Sequence, residues 1–180
     1  MIASHMRIVG LTFFCALCSF NSVQAQKEYF VQVDKYVSRI DSCYKGSISQ
    51  YKMIPDTVAV MLSEGYLNSG NSAGGFSQAV YHNSINKTIY KIVFSDNLNG
   101  NLNRSYYFRN DHLIYANLEV VDNQSKTIYY QHQYFLNDVL LKILGQPSKS
   151  RHASKQMRGY ETKSMTIAKK LLSDSKQMLR

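Results

Sequence analysis

Residues 106 to 115 read YYFRNDHLIY, and residues 133 to 142 read QYFLNDVLLK, with an aromatic pair, Asn-Asp and an aliphatic pair in the same order. Asn and Asp tolerate left-handed backbone angles and bond their own main chain, so Asn-Asp between an aromatic pair and an aliphatic pair marks a tight reversal between two strands. Each stretch is therefore expected to be one β-hairpin, with aromatics on the way in and aliphatics on the way back. A looser copy lies upstream, where Val80-Tyr81 and Ile89-Tyr90 flank a longer turn through Asn83. Tyr81, Tyr107 and Tyr134 are 26 and 27 residues apart, the length of one hairpin and its connection. Convergence of unrelated hairpins on similar residues is the alternative to a true repeat.

Working outward, FSQAVYH, TIYKIVFS, RSYYFR, HLIYANLEVV, TIYYQHQYF and VLLKIL read as strands separated by segments rich in Asn, Asp and Gly. Upstream of them TVAVMLS, residues 57 to 63, is β-branched and apolar. Glu64-Gly65 reads as a turn, and Asn68 to Gly75 as a loop of small polar residues. From Lys27 to Tyr44, Phe30, Val33, Val37, Ile40 and Tyr44 fall at steps of three and four, an amphipathic helix ended by Gly46. Beyond Pro147, Met165, Ala168, Leu171 and Leu172 form a second helical stripe, while residues 148 to 156 read as a linker. The expected fold is α+β: an N-terminal helix, an antiparallel meander of about six to eight strands, and a basic C-terminal amphipathic helix docked on one face.

The beginning of the chain reads as an address. Arg7 precedes an apolar run from Ile8 to Phe20, followed by small or neutral residues up to Val23-Gln24-Ala25. That is the layout of a secretory signal peptide cut near Ala25, with Met1 and Met6 as alternative starts. The run is too short for a membrane-spanning helix, which needs about 20 apolar residues, and Leu17 before Cys18 argues against lipidation. The expected organisation is a signal at 1–25, a helix-plus-sheet domain at 26–146 and a basic linker and helix at 147–180. The location is exported, periplasmic or secreted, with no transmembrane segment in the mature chain. Cys43 is the one cysteine downstream of the signal, so no internal disulfide is expected, and its place on the apolar stripe suggests an inert, buried thiol.

The repeated YYFxNxxLI pattern behind a signal resembles uncharacterised small secreted or periplasmic bacterial proteins that carry YYF-dnG-kLI hairpins. The likeness covers about residues 65 to 144, with Tyr106, Tyr107, Phe108, Leu113 and Ile114 the best match and Tyr134, Phe135, Leu140 and Leu141 the second. It implies location and fold and lends no catalytic residue. Asp111-His112 and Asp138-Val139 stand where the pattern has Gly, which suggests another turn type.

Composition and motifs narrow the function classes. There is no GxSxG, HExxH, P-loop or paired CxxC, and no Trp. His82, His112, His132 and His152 lack metal-ligand spacing, and Asp96, Asp111, Glu119, Asp122 and Asp138 are scattered, mostly in turns. No catalytic residue, metal ligand or cofactor is assigned, and an enzyme is not expected. The net charge is +9, and residues 147 to 180 hold nine basic side chains against Glu161 and Asp174.

Two candidate sites remain. One is a tyrosine-rich sheet face, Tyr81, Tyr90, Tyr107, Tyr115, Tyr130 and Tyr134, able to grip a protein, peptide or glycan. The other is the basic helix, Lys155, Arg158, Lys163, Lys169, Lys170 and Lys176, able to meet an anionic envelope surface such as lipid or lipopolysaccharide. Nucleic acid is disfavoured because the tyrosines do not interleave with the basic cluster. The leading reading is an exported, non-enzymatic binding or envelope-associated module using the tyrosine face. The anionic-surface binder ranks second, and a hydrolase without a recognisable motif third.

Overall fold

The computed structural model describes residues 24–42, 58–69, 72–97, 101–121, 127–146 and 151–180. A helix, α1, spans residues 24–42. Seven strands follow: β1 (Val58–Ser69), β2 (Ser72–Asn83), β3 (Ile89–Asp96), β4 (Asn101–Arg109), β5 (His112–Val121), β6 (Thr127–Leu136) and β7 (Val139–Gln146). The chain then enters α2 (Arg151–Met178). The strands form one sheet in sequence order, every neighbouring pair antiparallel. The α+β layout with a meander sheet is as the sequence implies. Contacts divide the chain into two units, Met1–Ser38 and Arg39–Arg180. Within the first, α1 buries Val33 and brings the Tyr29 and Phe30 rings to 6.1 Å. The second holds the last residues of α1, the whole sheet and α2.

The repeated stretches are hairpins with the same geometry. Asn110 and Asp111 have φ of 51° and 66°, and Asn137 and Asp138 have 49° and 64°. Arg109 pairs with His112 and Leu136 with Val139, so both are two-residue loops with left-handed angles at each position, the type I′ pattern. With Asp111 and Asp138 at the second position both turns are left-handed, and the other turn type that Asp suggested does not form. One step inward, each hairpin carries a bulge: Tyr107 pairs with Tyr115 but Phe108 with Leu113, and Tyr134 pairs with Lys142 but Phe135 with Leu140. The upstream copy does the same, Tyr81 pairing with Lys91 and His82 with Ile89. Tyr90, Ile114 and Leu141 are thus equivalent bulged residues in three equivalent hairpins.

Three further expectations are corrected. β1 runs straight through Glu64-Gly65 instead of turning, and Gly65 lies opposite Phe76. A Cβ on Gly65 would stand 2.6 Å from Cε1 of the Phe76 ring, so Gly here makes room for an aromatic cross-strand neighbour. The loop at Asn68 to Gly75 is mostly strand, with Asn68 paired to Ala73 and Ser69 to Ser72. The linker at 148–156 gives way to helix from Arg151. In both of the latter, main-chain hydrogen bonding overrides a polar composition. Cys43 and Tyr44 lie outside the described residues.

The core fills the space between α2 and one sheet face. Val80, Ile92, Tyr106 and Ala116 occupy successive strands in a single cross-sheet row, with Leu102, Phe108, Leu113, Leu118 and Phe135 around them. α2 contributes Ala168 and Leu172, and the hydroxyl of buried Ser175 accepts a 3.0 Å bond from Gln78 Nε2. The helix is also pinned to the hairpin tips. Lys169 Nζ lies 3.0 Å from Asp138 and Lys176 Nζ 2.6 Å from Asp111, the same turn position in two successive repeats. Seven helical residues advance about 10.5 Å, and two strand spacings cover about 9.5 Å, so lysines seven apart reach turns two strands apart. Asp138 also accepts from the backbone N–H of Leu113 at 3.3 Å, which ties the third hairpin to the second.

Partial burial pushes the Asp138 carboxyl up, but the bonds from Lys169, His112 and Leu113 outweigh it and hold the group below its ordinary value. Its stabilising contribution is present above the unfolded carboxylate range and is lost as acid protonates it. Asp138→Asn keeps a residue suited to left-handed angles and removes the charge. It should cost about 0.5–1 kcal/mol at neutral pH, and the difference from the parent should shrink as acid takes the pH below the ordinary carboxylate range, read by thermal melts across pH.

Candidate ligand-binding face

The opposite sheet face carries the tyrosines. Hairpin register places Val60, Tyr81, Lys91, Tyr107, Tyr115, Tyr134 and Lys142 in one row across all seven strands. Four of the six expected tyrosines are thereby aligned. The Lys91 ammonium lies 5.6 Å from the Tyr81 ring centre and 4.9 Å from that of Tyr107. Tyr107 meets Tyr115 edge-on at 5.4 Å and 70°, and Tyr115 meets Tyr134 at 5.2 Å and 76°. Such contacts contribute about 0.5–1.5 kcal/mol each beyond burial.

Asp41, in the last turn of α1, closes the row. Its carboxylate accepts the Tyr107 hydroxyl at 2.9 and 3.0 Å and pairs with Lys91 Nζ at 2.7 Å. Burial raises the Tyr107 phenol pKa well above its ordinary value, and the negative charge and hydrogen bond of Asp41 raise it further. Tyr81 is raised for the same leading reason, with Asp41 as the second cause. Both rings stay neutral through the physiological range. Further along, the Tyr115 hydroxyl bonds Nδ1 of His132, whose ring stacks on Tyr115 at 5.8 Å and tilts against Tyr130 at 5.3 Å.

This arrangement revises the open aromatic platform. Tyr107, Tyr115 and Tyr134 are buried, so they stiffen the sheet instead of offering rings to solvent. Tyr81 and Tyr130 are half-buried, Tyr130 standing beside the row opposite Glu119. Tyr90 is the bulged residue of its hairpin and takes a 3.5 Å contact from Asn83 Nδ2, away from the row. Sequence reasoning missed Asp41, Lys91 and His132. Lys91 was within reach of the repeat, since it stands two residues past Ile89 as Tyr115 stands two past Leu113. Asp41 offered no signal, because its partners are 50 and 66 residues away.

The next row along this face has a different character. Leu62, Ala79, Val93, Ser105, Asn117, His132 and Leu144 follow one another from edge to edge. Ala79, Val93, Ser105 and Asn117 form a half-buried floor of short side chains, and Leu62 (74% exposed) and Leu144 stand at its two ends. Tyr66, 90% exposed, extends the rim on β1. At the strand ends a shallow cleft of about 320 Å³ is lined by Gly75, Phe76, Ser77, Ser95, Asp96, Asn97 and Asn103. The Asp96 carboxylate is buried there and accepts from Arg104, whose guanidinium lies 5.3 Å from the Phe94 ring.

The basic set is divided in its roles. Lys169 and Lys176 are engaged by Asp138 and Asp111, Lys163 and Lys170 are exposed, and the side chains of Lys155 and Arg158 lie outside the described residues. Among the described residues no helix is long and apolar enough to cross a membrane, and no three His, Cys, Asp or Glu side chains gather as a metal set. The fold defines a class, a seven-stranded antiparallel meander backed by one helix. The chain matches no protein-family model, no curated protein and no solved structure.

Removing the Asp41 charge leaves Lys91 between two rings with no carboxylate. Asp41→Asn should cost about 1–2 kcal/mol in urea unfolding, discounted for the partial exposure of Asp41. Adding Lys91→Met should recover most of that loss, and a double-mutant cycle measures the coupling.

Proposed function

We propose that this chain is an exported, non-enzymatic binding module that holds a protein or peptide partner on the open part of its tyrosine face. The observation that carries the reading is the rim of Leu62 and Tyr66, large apolar side chains left 74% and 90% exposed beside a floor of short ones. Exposed apolar groups around a shallow floor are the material of a protein-binding patch, and half-buried Tyr81 and Tyr130 flank it. Buried tyrosines in the neighbouring row contribute stiffness, so little ordering accompanies binding. A non-enzymatic role is supported by the carboxylates Asp41, Asp96, Asp111 and Asp138, each of which is engaged by a Lys or Arg. Export rests on the signal-like residues 1–25. The second reading, an anionic envelope surface met by α2, keeps exposed Lys163 and Lys170 in its favour.

Capture of partners from envelope extract discriminates the two. On the leading reading, a partner is retained at high salt and is lost with Leu62→Glu or Tyr66→Ala, both exposed positions whose change leaves the melt unaltered. Loss of capture with salt, and with Lys163→Glu plus Lys170→Glu, would move the function to α2. The N-terminus of the exported protein should begin near Gln26, read by mass spectrometry.

A further inference from the structure

The sheet is a serial repeat, and its last strand is where the repeat stops. In the first two hairpins the outgoing strand, β3 or β5, is covered on its far edge by the incoming strand of the next hairpin, β4 or β6. β7 is the equivalent outgoing strand of the third hairpin and, among the described residues, ends the sheet. It keeps the composition of an interior strand. Leu140 and Ile143 point to the α2 face and Leu144 to the tyrosine face, and with Val139 they are between 41% and 60% exposed. Strands covered on both faces read as continuous apolar runs, whereas a lasting edge is normally blunted by charges, prolines or bulges. β7 carries one charge, Lys142, and the bulge at Leu141. The other edge differs in its faces: β1 exposes Val60, Leu62, Glu64 and Tyr66, all on one face, and half-buries Ala59, Met61 and Ser63 on the other, whereas β7 exposes apolar side chains on both.

We propose that β7 is the interface of a symmetric dimer, with the β7 strand of a second copy as its occupant. Strand direction excludes β1 of a second copy as the occupant. Seven alternating strands leave β1 and β7 running the same way, so adding β1 of a copy with its faces aligned would make a parallel pair in a wholly antiparallel sheet. A two-fold axis normal to the sheet at β7 gives an antiparallel neighbour, keeps both tyrosine faces on one side and sets both α2 helices on the other. Charge selects the register. Placing Lys142 against its own copy sets like charges opposite each other, whereas an axis at Ile143 sets Lys142 against Leu144 of the second copy on the same face. The interface is one short strand pair, at the low end of specific interface sizes, so association belongs in the micromolar range, on the order of 10 µM. The dimer joins two tyrosine faces into one surface, a consequence that stands independently of what that surface binds.

Sedimentation equilibrium of the full chain, and of the exported form beginning at Gln26 so that the apolar run from Ile8 to Phe20 is not the cause, from about 1 to about 200 µM tests this. The expected result is a reversible rise from 20.6 kDa to twice that mass and no further. Ile143→Lys brings two positive charges to the axis and should weaken association at least about tenfold, with near-ultraviolet circular dichroism unchanged. Leu144→Lys is the second variant should the first fail to fold, and Leu62→Lys on β1 should leave association intact. A single species at 20.6 kDa throughout overturns the proposal. So does assembly beyond two copies, or association that survives Ile143→Lys and is lost with Leu62→Lys.

Discussion

Left-handed backbone at two adjacent residues, Asn110-Asp111 and again Asn137-Asp138, is the constraint from which the rest of the sheet follows. A two-residue turn of this hand matches the natural twist of paired strands and fixes which residues face each other. Because side chains alternate with a period of two, a slip of one residue would exchange the two faces of the sheet. The bulge one step inside each turn completes the setting, since it advances the outgoing strand by one residue and brings Lys91, Tyr115 and Lys142 onto the face of Tyr81, Tyr107 and Tyr134. A single cross-sheet row of rings and ammonium groups is the product of that register.

The same turns anchor the helix behind the sheet. Asp is less at ease than Gly in left-handed backbone, yet Asp111 and Asp138 each gain a lysine from α2 that Gly could not hold. The spacing of Lys169 and Lys176 fits the spacing of the hairpins, so α2 crosses the strands in a direction set by charge as well as by Ala168 and Leu172 in the core. Two of the six basic residues that made the tail look like a surface binder are therefore structural, and the sheet has one face committed to packing.

On the other face, chemistry is divided by row. The tyrosine row is closed by Asp41, which takes up both the Tyr107 hydroxyl and the Lys91 ammonium, and Tyr107, Tyr115 and Tyr134 are buried. The neighbouring row of Ala79, Val93, Ser105 and Asn117 stays shallow and half-open between exposed leucines. The face thus sets a rigid aromatic layer beside a shallow floor rimmed by exposed apolar side chains.

The sequence by itself determined the elements and their order. Turn residues, β-branched runs and periods of two or three to four are local properties, and the repeat of Tyr81, Tyr107 and Tyr134 announced equivalent hairpins. It erred where composition and hydrogen bonding disagree, at Gly65, at Asn68 to Gly75 and at Arg151, because a polar segment with a strand or helix partner is ordered by that partner. It announced many tyrosines, and their closure was decided only in three dimensions. Whether a ring is wet or dry depends on what lies over it, and the group over Tyr107 comes from a residue 66 positions away in the chain. The tertiary structure also decided which lysines bind aspartate, since that depends on the match between helical rise and strand spacing, a distance that no local pattern encodes.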